Sequence, residues 1–428
     1  MKIPRRQFLQ GCCAGITAMA GARLTNVTFA QTPASSRDIL VTVFLRGGMD
    51  ALSLVAPYAD SEYHNARPEL GLESSNVVDL NGYFGLNNAA SGLAALYAAG
   101  HLALIPACGF PEANRSHFDA QDIFDRGLTG NAARNGDGWL SRHLSPSNPM
   151  DSVFRAVSLA SEPSVSLEGF SHSLAMTGAD DFSLNGQWNN VNALRLALRN
   201  MYAADPLIGG VALQTLDAAD IVEAAPDEDY VPKNGAVYPN TDFAKKTRSV
   251  AQLIRMELGM EAATIDLGGW DTHENQSNGN SNPSQGYFAN MAKQLADGLL
   301  AFWTDLQDYH GRITVVVMSE FGRRLRENNS RGTDHGHGGL MMVLSANVRE
   351  KKVYGRWPGL AQEQLFESVD VDATTDFRAV LAEILRARRG VGLQEIAQLF
   401  PGFNYDKNVG FFLPEGASTA AKDWNLFE

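Results

Sequence analysis

The chain has 428 residues, of which 44% are hydrophobic and 19% charged, a composition compatible with a globular protein that buries a core. Its formal net charge is −13 and it carries no run of basic residues, which argues against nucleic acid as a partner. After the N-terminal stretch, no segment approaches the roughly 20 consecutive apolar residues of a spanning helix, so we expect no transmembrane segment in the mature chain.

The N-terminus is typical of an export signal. Arg5 and Arg6 form a twin-arginine pattern, and a Gly- and Ala-rich apolar stretch follows over Gly11–Ala22. Ala30 ends a small-residue pattern of the kind that is cleaved. We therefore predict a twin-arginine signal peptide over residues 1–30, recognition by the twin-arginine export machinery, and a periplasmic or exported location. The alternative is an ordinary amphipathic helix at the N-terminus.

Strand and helix patterns alternate along the rest of the chain. The predicted strands are Ile39–Leu45, Leu102–Ala107, Ala262–Leu267, Ile313–Met318 and Leu340–Leu344. The predicted helices are Ala89–Ala99, His117–Arg126, Val191–Ala203, Leu207–Ala225, Asp242–Leu258, Tyr287–Tyr309, Asp376–Arg386 and Leu393–Phe400. This alternation predicts an α/β fold, a doubly wound and mostly parallel sheet with helices on both faces.

We expect residues 31–428 to form a single domain of this kind with two insertions. The stretch near 130–185 is rich in Gly, Ser, Asn and Pro, and the stretch near 226–240 has the composition of a long polar loop. A further polar loop, Asn275–Gln285, is compatible either with flexible disorder or with a rim over a binding site.

Acidic residues and histidines concentrate in short loops next to the predicted strands. Ligands of an open α/β sheet bind outside the carboxyl ends of its strands, and most of these loops fall there. The loop that ends at His337 precedes the strand at Leu340 instead, so it joins the others only if that strand is antiparallel or the loop folds back. The resulting candidates for metal ligation are Asp50, Asp271, His273, Glu320, Asp334, His335 and His337.

The chemistry of these side chains favours a divalent metal. Carboxylate oxygens and imidazole nitrogens together suit zinc or manganese, and suit magnesium or calcium less well. An isolated histidine is more often a packed or surface residue, but three of the nine histidines in two short loops favour metal binding or catalysis.

Other candidates concern catalysis and substrate binding. Ser116 and His117 are the candidate catalytic residues, because a hydroxyl at a helix start gains from the helix field, which also favours an anionic substrate. The alternative for Ser116 is a plain N-cap. Arg46, Arg115 and Arg323 are candidates for bidentate binding of an anionic small-molecule or polymer substrate, and their alternative is to anchor loops.

Six motifs resemble a large exported bacterial family known as domain of unknown function 1501. They are FLRGGMDAL at 44–52, RSHFDAQ at 115–121, GGWDTH at 268–273, SEFGR at 319–323, GTDHGHGG at 332–339 and VYGRWPGL at 353–360. The resemblance covers essentially the whole mature chain. That family is similar to the alkaline phosphatase and sulfatase superfamily, so the resemblance implies an α/β/α core and metal-dependent hydrolysis of phosphate or sulfate esters, with no substrate specified.

The chain also departs from the superfamily pattern. An acid normally ends the first strand, where this chain has Arg46, and an Asp-His pair is replaced by Glu320 and Phe321. A one-metal site and a lost site therefore both stay open. The first hypothesis is an exported metal-dependent hydrolase of phosphate or sulfate esters. The second is a non-catalytic exported binding or assembly protein on an alkaline phosphatase-like scaffold with a degraded site.

Overall fold

The computed structural model describes most of residues 37–405. Within that span, residues 113, 131, 146–151, 153, 171–172, 179–190, 204, 206–208, 224–229 and 281 are not described. The predicted signal peptide lies outside the described residues, as do parts of both predicted insertions. In the part of the chain that is described, no helix has the length and apolar character needed to cross a membrane.

Eight strands form a central sheet, and three short strands form a second, antiparallel one. The strands in chain order are β1 (Ile39–Leu45), β2 (Val55–Ala56), β3 (Val77–Asp79), β4 (Gly85–Asn87), β5 (Leu102–Gly109), β6 (Ala156–Ser158), β7 (Ser173–Ala175), β8 (Ala262–Leu267), β9 (Ile313–Met318), β10 (Gly339–Ser345) and β11 (Thr375–Asp376). The central sheet has the order β11-β5-β10-β9-β1-β8-β6-β7, and the small sheet has the order β2-β4-β3.

Twelve α-helices are described. They are α1 (Ala51–Leu54), α2 (Ser61–Ala66), α3 (Ser91–Ala98), α4 (His117–Arg126), α5 (Ala132–Asn135), α6 (Trp139–Leu144), α7 (Val191–Ala203), α8 (Gly209–Glu223), α9 (Asp242–Arg255), α10 (Tyr287–Asp305), α11 (Phe377–Arg389) and α12 (Leu393–Leu399). Each predicted helix has a counterpart among them. Helix α10 ends before the predicted Tyr309, because the chain tightens there into the 3-10 turn Gln307–Tyr309.

The sheet is mostly parallel, as the alternation of elements predicts. Strand β1 pairs in parallel with both β8 and β9, so that Val43 lies beside Ile265 on one side and Val317 on the other. Only β10 is reversed within the described sheet, because it pairs antiparallel with both β5 and β9. Its start therefore lies at the edge where its neighbours end, which brings the loop before it to the carboxyl edge of the sheet.

Apolar side chains from both faces of the sheet form two cores. Val41 and Val43 of β1 point into a cluster shared with helices α3, α7, α8, α9 and α10. The alternating residues Leu40 and Phe44 join a second cluster with α4, α6, α11 and α12. The sheet is thus covered on both faces, which gives three layers and explains why its central strands are mostly apolar. This confirms the predicted α/β class and leaves the polar loops to collect at the strand ends.

Candidate metal centre

Loops from three strands and one helix meet at the carboxyl edge of the sheet. Two glycines permit their close approach. Gly47 has a φ of 120°, and a Cβ atom built on it would lie 2.6 Å from the backbone nitrogen of Asp271. A Cβ atom on Gly332 would lie 2.3 Å from the carbonyl carbon of His273. A side chain at either position would push the loops apart, so the packing of this edge requires glycine.

The donor atoms of Asp271, His273 and His335 form a compact triangle. The Nε2 atoms of His273 and His335 lie 2.8 Å apart, and Asp271 Oδ1 lies 3.1 Å from the first and 3.2 Å from the second. Bond lengths of about 2.0–2.2 Å put neighbouring zinc ligands roughly 3.0–3.5 Å apart. The triangle therefore has close to the dimensions of one face of a metal coordination sphere.

His117, the first residue of α4, reaches the same place. Its Nε2 atom lies 3.4 Å from Asp271 Oδ2. One donor atom from each of His117, Asp271 and His335 lies within 4.8 Å of the other two. His117 is thus a further potential ligand. The sequence predicts a catalytic role for it instead.

Each of the three histidines presents its Nδ1 to an acceptor. The Nδ1 of His117 lies 2.8 Å from Glu320 Oε1, that of His273 lies 3.1 Å from Asp334 Oδ1, and that of His335 lies 2.8 Å from the carbonyl oxygen of Arg115. A neutral ring carries one proton, and the Nε2 atoms also face a carboxylate, so each neutral ring donates on only one of its two sides. In the tautomer with the proton on Nδ1, the three Nε2 atoms are lone-pair donors that face the carboxylate of Asp271.

This arrangement is unfavourable without a cation. Two lone pairs only 2.8 Å apart repel each other unless a proton or a metal ion lies between them. Burial lowers the pKa of His335, which disfavours a proton on its ring. The Nε2 atom of His117 is buried and has no hydrogen-bond partner among the described residues. The donor set therefore fits a divalent ion better than it fits a set of mutual hydrogen bonds.

Glu320 is a buried anchor behind His117. Its Oε1 also accepts from the backbone N–H of Gly47 at 2.9 Å and from Gln121 Nε2 at 2.8 Å, and Ser319 donates to its Oε2 at 3.1 Å. Burial by itself would raise the pKa of Glu320, but the hydrogen bonds from His117, Gln121 and Gly47 outweigh it and lower the pKa to about 2. The hydrogen bond to Glu320 in turn raises the pKa of His117, against the effect of burial.

Arg323 holds Asp271 and three loops together from below. Its guanidinium group is fully buried and donates to the carbonyl oxygens of Gly48 at 2.6 Å and Thr333 at 2.8 Å, and to Asp271 Oδ1 at 2.6 Å. Partial burial would raise the pKa of Asp271, but the hydrogen bond and charge of Arg323 outweigh it and lower that pKa. Arg323 thus keeps Asp271 ionised.

Two predicted metal ligands lie away from the centre. Asp50 is fully buried and forms a bidentate ion pair with Arg67, with distances of 2.6 and 3.0 Å, so its charge is already compensated. His337 stacks on Phe366 at 3.9 Å, and its Nδ1 accepts from the backbone N–H of Ala373 at 3.3 Å. Glu320 and Asp334 reach the centre only through the histidines that they orient.

The other candidates for substrate binding are engaged in loop contacts. Arg46 pairs with Asp125 at 2.6 Å and with Asp266 at 3.2 Å. Arg115 binds Asp370 and also Glu367, the latter at 2.8 Å. These contacts correspond to the loop-anchoring alternative. The hydroxyl of Ser116 accepts from the backbone N–H of Asp119 at 3.5 Å, which is the N-cap alternative for that residue.

Two residues that support the candidate site, Gln121 and Gln276, were not identified from the sequence. Gln121 follows His117 by four residues, so both lie on one face of α4 and both reach Glu320. That spacing is a signal that the sequence does contain. No comparable signal exists for Gln276, which is buried within a polar loop.

The sequence matches the family model of DUF1501, described as "Protein of unknown function", over residues 103–399. The chain belongs to the DUF1501 family. The matched region includes all four donors of the centre, whereas the loop after β1 precedes it. A search of curated proteins gave no match.

Solved structures resemble this DUF1501 protein only distantly. The C-terminal periplasmic domain of EcEptC from Escherichia coli is 8% identical and has a TM-score of 0.37, with 88% of this chain and 90% of that chain covered. Its zinc complex gives 8% identity and a TM-score of 0.33 over 73% and 74% of the chains. Alkaline phosphatase from the Antarctic bacterium TAB5 gives 11% and 0.26 over 73% and 93%. TM-scores this low give no basis for transferring a site or an activity.

Proposed function

We propose that this protein is an exported metal-dependent hydrolase of phosphate or sulfate esters with one divalent ion, held by Asp271, His273, His335 and His117. The observation that carries the proposal is the convergence of three imidazole Nε2 atoms on one carboxylate. In each ring the Nδ1 atom has an acceptor of its own, which supports the tautomer whose Nε2 atom is free to bind an ion.

The donor set indicates which ion to expect. Three nitrogen donors and one carboxylate suit zinc, and manganese is the next candidate, whereas calcium and magnesium prefer sites made only of oxygen. The position is also accessible, because the side chains of Asp271 and His273 are 45% and 43% exposed. An ester group can therefore approach the centre from solvent.

The chain's own residues have distinct proposed roles. A divalent ion held here supplies Lewis-acid polarisation of the ester and activation of water. Glu320 and Asp334 fix the rings of His117 and His273, and Arg323 keeps Asp271 anionic. Because the hydroxyl of Ser116 caps α4, we assign the attack to water and not to this serine.

Export is proposed on the sequence alone. The twin-arginine pattern at Arg5 and Arg6 supports passage through a pathway that carries folded proteins. A centre assembled in the cytoplasm would then reach the periplasm already loaded with its ion. The anionic substrate, small molecule or polymer, would be met there.

A non-catalytic binding or assembly role is the second candidate. It is favoured by the arginines, because Arg46, Arg115 and Arg323 are all engaged by acidic groups or carbonyl oxygens. None of these three is available to hold the charge of an ester. In this alternative the centre keeps a structural ion or has lost it.

Metal content and ester turnover test the two candidates together. Protein purified without chelator is analysed for metal, and His335→Ala is compared with the control His64→Ala. The imidazole of His64 hydrogen-bonds to the carbonyl oxygen of Tyr58, away from the centre. We expect about one ion per chain in the wild type and the control, and none in His335→Ala. Aryl phosphate, phosphodiester and sulfate esters are then screened with added zinc, manganese, magnesium or calcium. Bound metal without turnover favours the binding role, and absence of metal refutes the proposed centre.

A further inference from the structure

Gln276 links the two loops that carry His273 and His335. Its side chain is buried, with 2% of the residue exposed. The Oε1 atom accepts hydrogen bonds from Thr272 Oγ1 at 2.8 Å and from Thr333 Oγ1 at 3.1 Å. Thr272 lies between Asp271 and His273, and Thr333 directly precedes Asp334. One amide oxygen thus bonds to both loops.

The other end of this amide is fixed to the loop after β1. Its Nε2 atom donates to Asp50 Oδ2 and to Ser53 Oγ, both at 2.8 Å. Asp50 is itself held by the buried guanidinium group of Arg67. Both hydrogens and both lone pairs of the Gln276 amide are therefore used, which leaves its side chain a single favourable orientation.

The link lies where the two histidine loops come closest to the ligands. Thr272 and Thr333 are buried, and the backbone N–H of Thr333 also donates to the carbonyl oxygen of Thr272 at 3.0 Å. Backbone bonds from Asn275 to Ser330 and from Gln276 to Arg331 join the same loops further from the two histidines, and the guanidinium group of Arg323 also joins them. The Gln276 amide adds a connection at the threonines next to the ligands, where His273 approaches His335 to 2.8 Å.

We propose that Gln276 is a positioning residue that sets the geometry, and hence the affinity, of the metal centre. The inference rests on the proposed metal site. Hydrogen-bond partners of the metal ligands themselves typically account for a factor of about 10–100 in metal affinity. Gln276 bonds the neighbours of the ligands and touches no ligand atom, so removal of the amide should weaken metal binding by about tenfold, the lower end of that range.

The test substitution is Gln276→Met, which keeps the length of the side chain and removes all four hydrogen bonds. The matched control is Tyr238→Phe, which removes one hydrogen bond of 2.9 Å to the buried Asp305 in a different polar cluster. Both variants should lose stability. In cobalt(II) titrations of metal-free protein, Gln276→Met should bind about tenfold more weakly and show an altered ligand-field spectrum, whereas Tyr238→Phe should stay within about twofold of the wild type.

Hydrogen exchange of the metal-free protein gives a readout that needs no ion. We expect faster exchange in peptides covering 268–274 and 332–337 in Gln276→Met, and no change there in Tyr238→Phe. If Gln276→Met fails to fold, Thr272→Val replaces it, because this change removes only one hydrogen bond to the amide.

The outcomes separate the two proposals. If the wild type binds no cobalt but both loops loosen in Gln276→Met, the metal centre is refuted while Gln276 still positions the loops. If cobalt affinity and loop exchange in Gln276→Met match those of Tyr238→Phe, the positioning role is refuted and the metal centre stands.

Discussion

Replacement of Glu320 by glutamine tests how the centre controls the protonation of His117. Glu320 accepts from His117, Gln121 and the N–H of Gly47 through a single buried oxygen. A glutamine has the same shape and can keep an amide oxygen in that position, but it carries no charge, and its NH₂ group replaces the oxygen that accepts from Ser319. We therefore expect the pKa of His117 to fall in Glu320→Gln, because the negative charge that raises it is lost.

The same group defines a window of acid sensitivity. On folding, the pKa of Glu320 falls from 4.5 to about 2, so the carboxylate stabilises the native state above pH 4.5. That contribution is lost as the pH falls from 4.5 to about 2, and its full size is about 3 kcal/mol. The wild type should lose stability across this window, and Glu320→Gln should lack that part of the dependence.

Two measurements check this reasoning. The imidazole resonances of selectively labelled, metal-free protein give the pKa of His117 in the wild type and in Glu320→Gln. Urea denaturation at pH 7 and near pH 3 gives the two stabilities, with His64→Ala as a control that leaves the centre intact. A folded Glu320→Gln protein in which the pKa of His117 is unchanged would refute the assignment of Glu320 as its partner.

Three further predictions address metal, export and the nucleophile. An ion present at 100 times its Kd adds about 2.7 kcal/mol to the free energy of unfolding. With an unfolding entropy of about 2.1 cal/mol/K per residue, chelation should lower Tm by roughly 3–4 °C. An unchanged melting curve would contradict the metal centre. Arg5→Lys combined with Arg6→Lys should leave the protein in the cytoplasm on fractionation, and periplasmic recovery at the wild-type level would exclude the twin-arginine signal. Ser116→Ala should lower the free energy of unfolding by at most about 1 kcal/mol through the lost N-cap, and should change ester turnover by less than about tenfold. A loss of turnover by several orders of magnitude, with normal metal content, would instead make the serine the nucleophile.

The fold was largely predictable because its central strands are buried on both faces. The apolar runs Ile39–Leu45, Ala262–Leu267 and Ile313–Met318 have the same bounds in the structure as in the prediction. A strand of this kind is mostly apolar, so the change to glycine or to polar residues after Leu45, Leu267 and Met318 marks its end. The position of the candidate site at the ends of these strands was therefore also predictable. It required the strand near Leu340 to be antiparallel, as it is in the structure.

The partners within the site were not predictable, because they depend on distances through space. Nothing near Asp50 in the sequence shows that Arg67 neutralises it, since the pair forms only when the intervening loop folds back. The three arginines were equally ambiguous, because a guanidinium group that anchors loops and one that binds substrate look alike in a sequence. The acceptors behind His117 and His273 come from segments far along the chain.

The reversed strand β10 has a consequence for how the protein matures. It brings the loop of His335 next to residues that lie far earlier, so that His335 hydrogen-bonds to the carbonyl oxygen of Arg115 across 220 positions. His117 likewise bonds Glu320, which follows β9, across 203 positions. Contacts of such long range form late, because the cost of closing these loops must be met by pairing of the whole sheet. The metal centre would thus be unformed in nascent chains and partly folded intermediates, so binding of the ion would show that folding is complete.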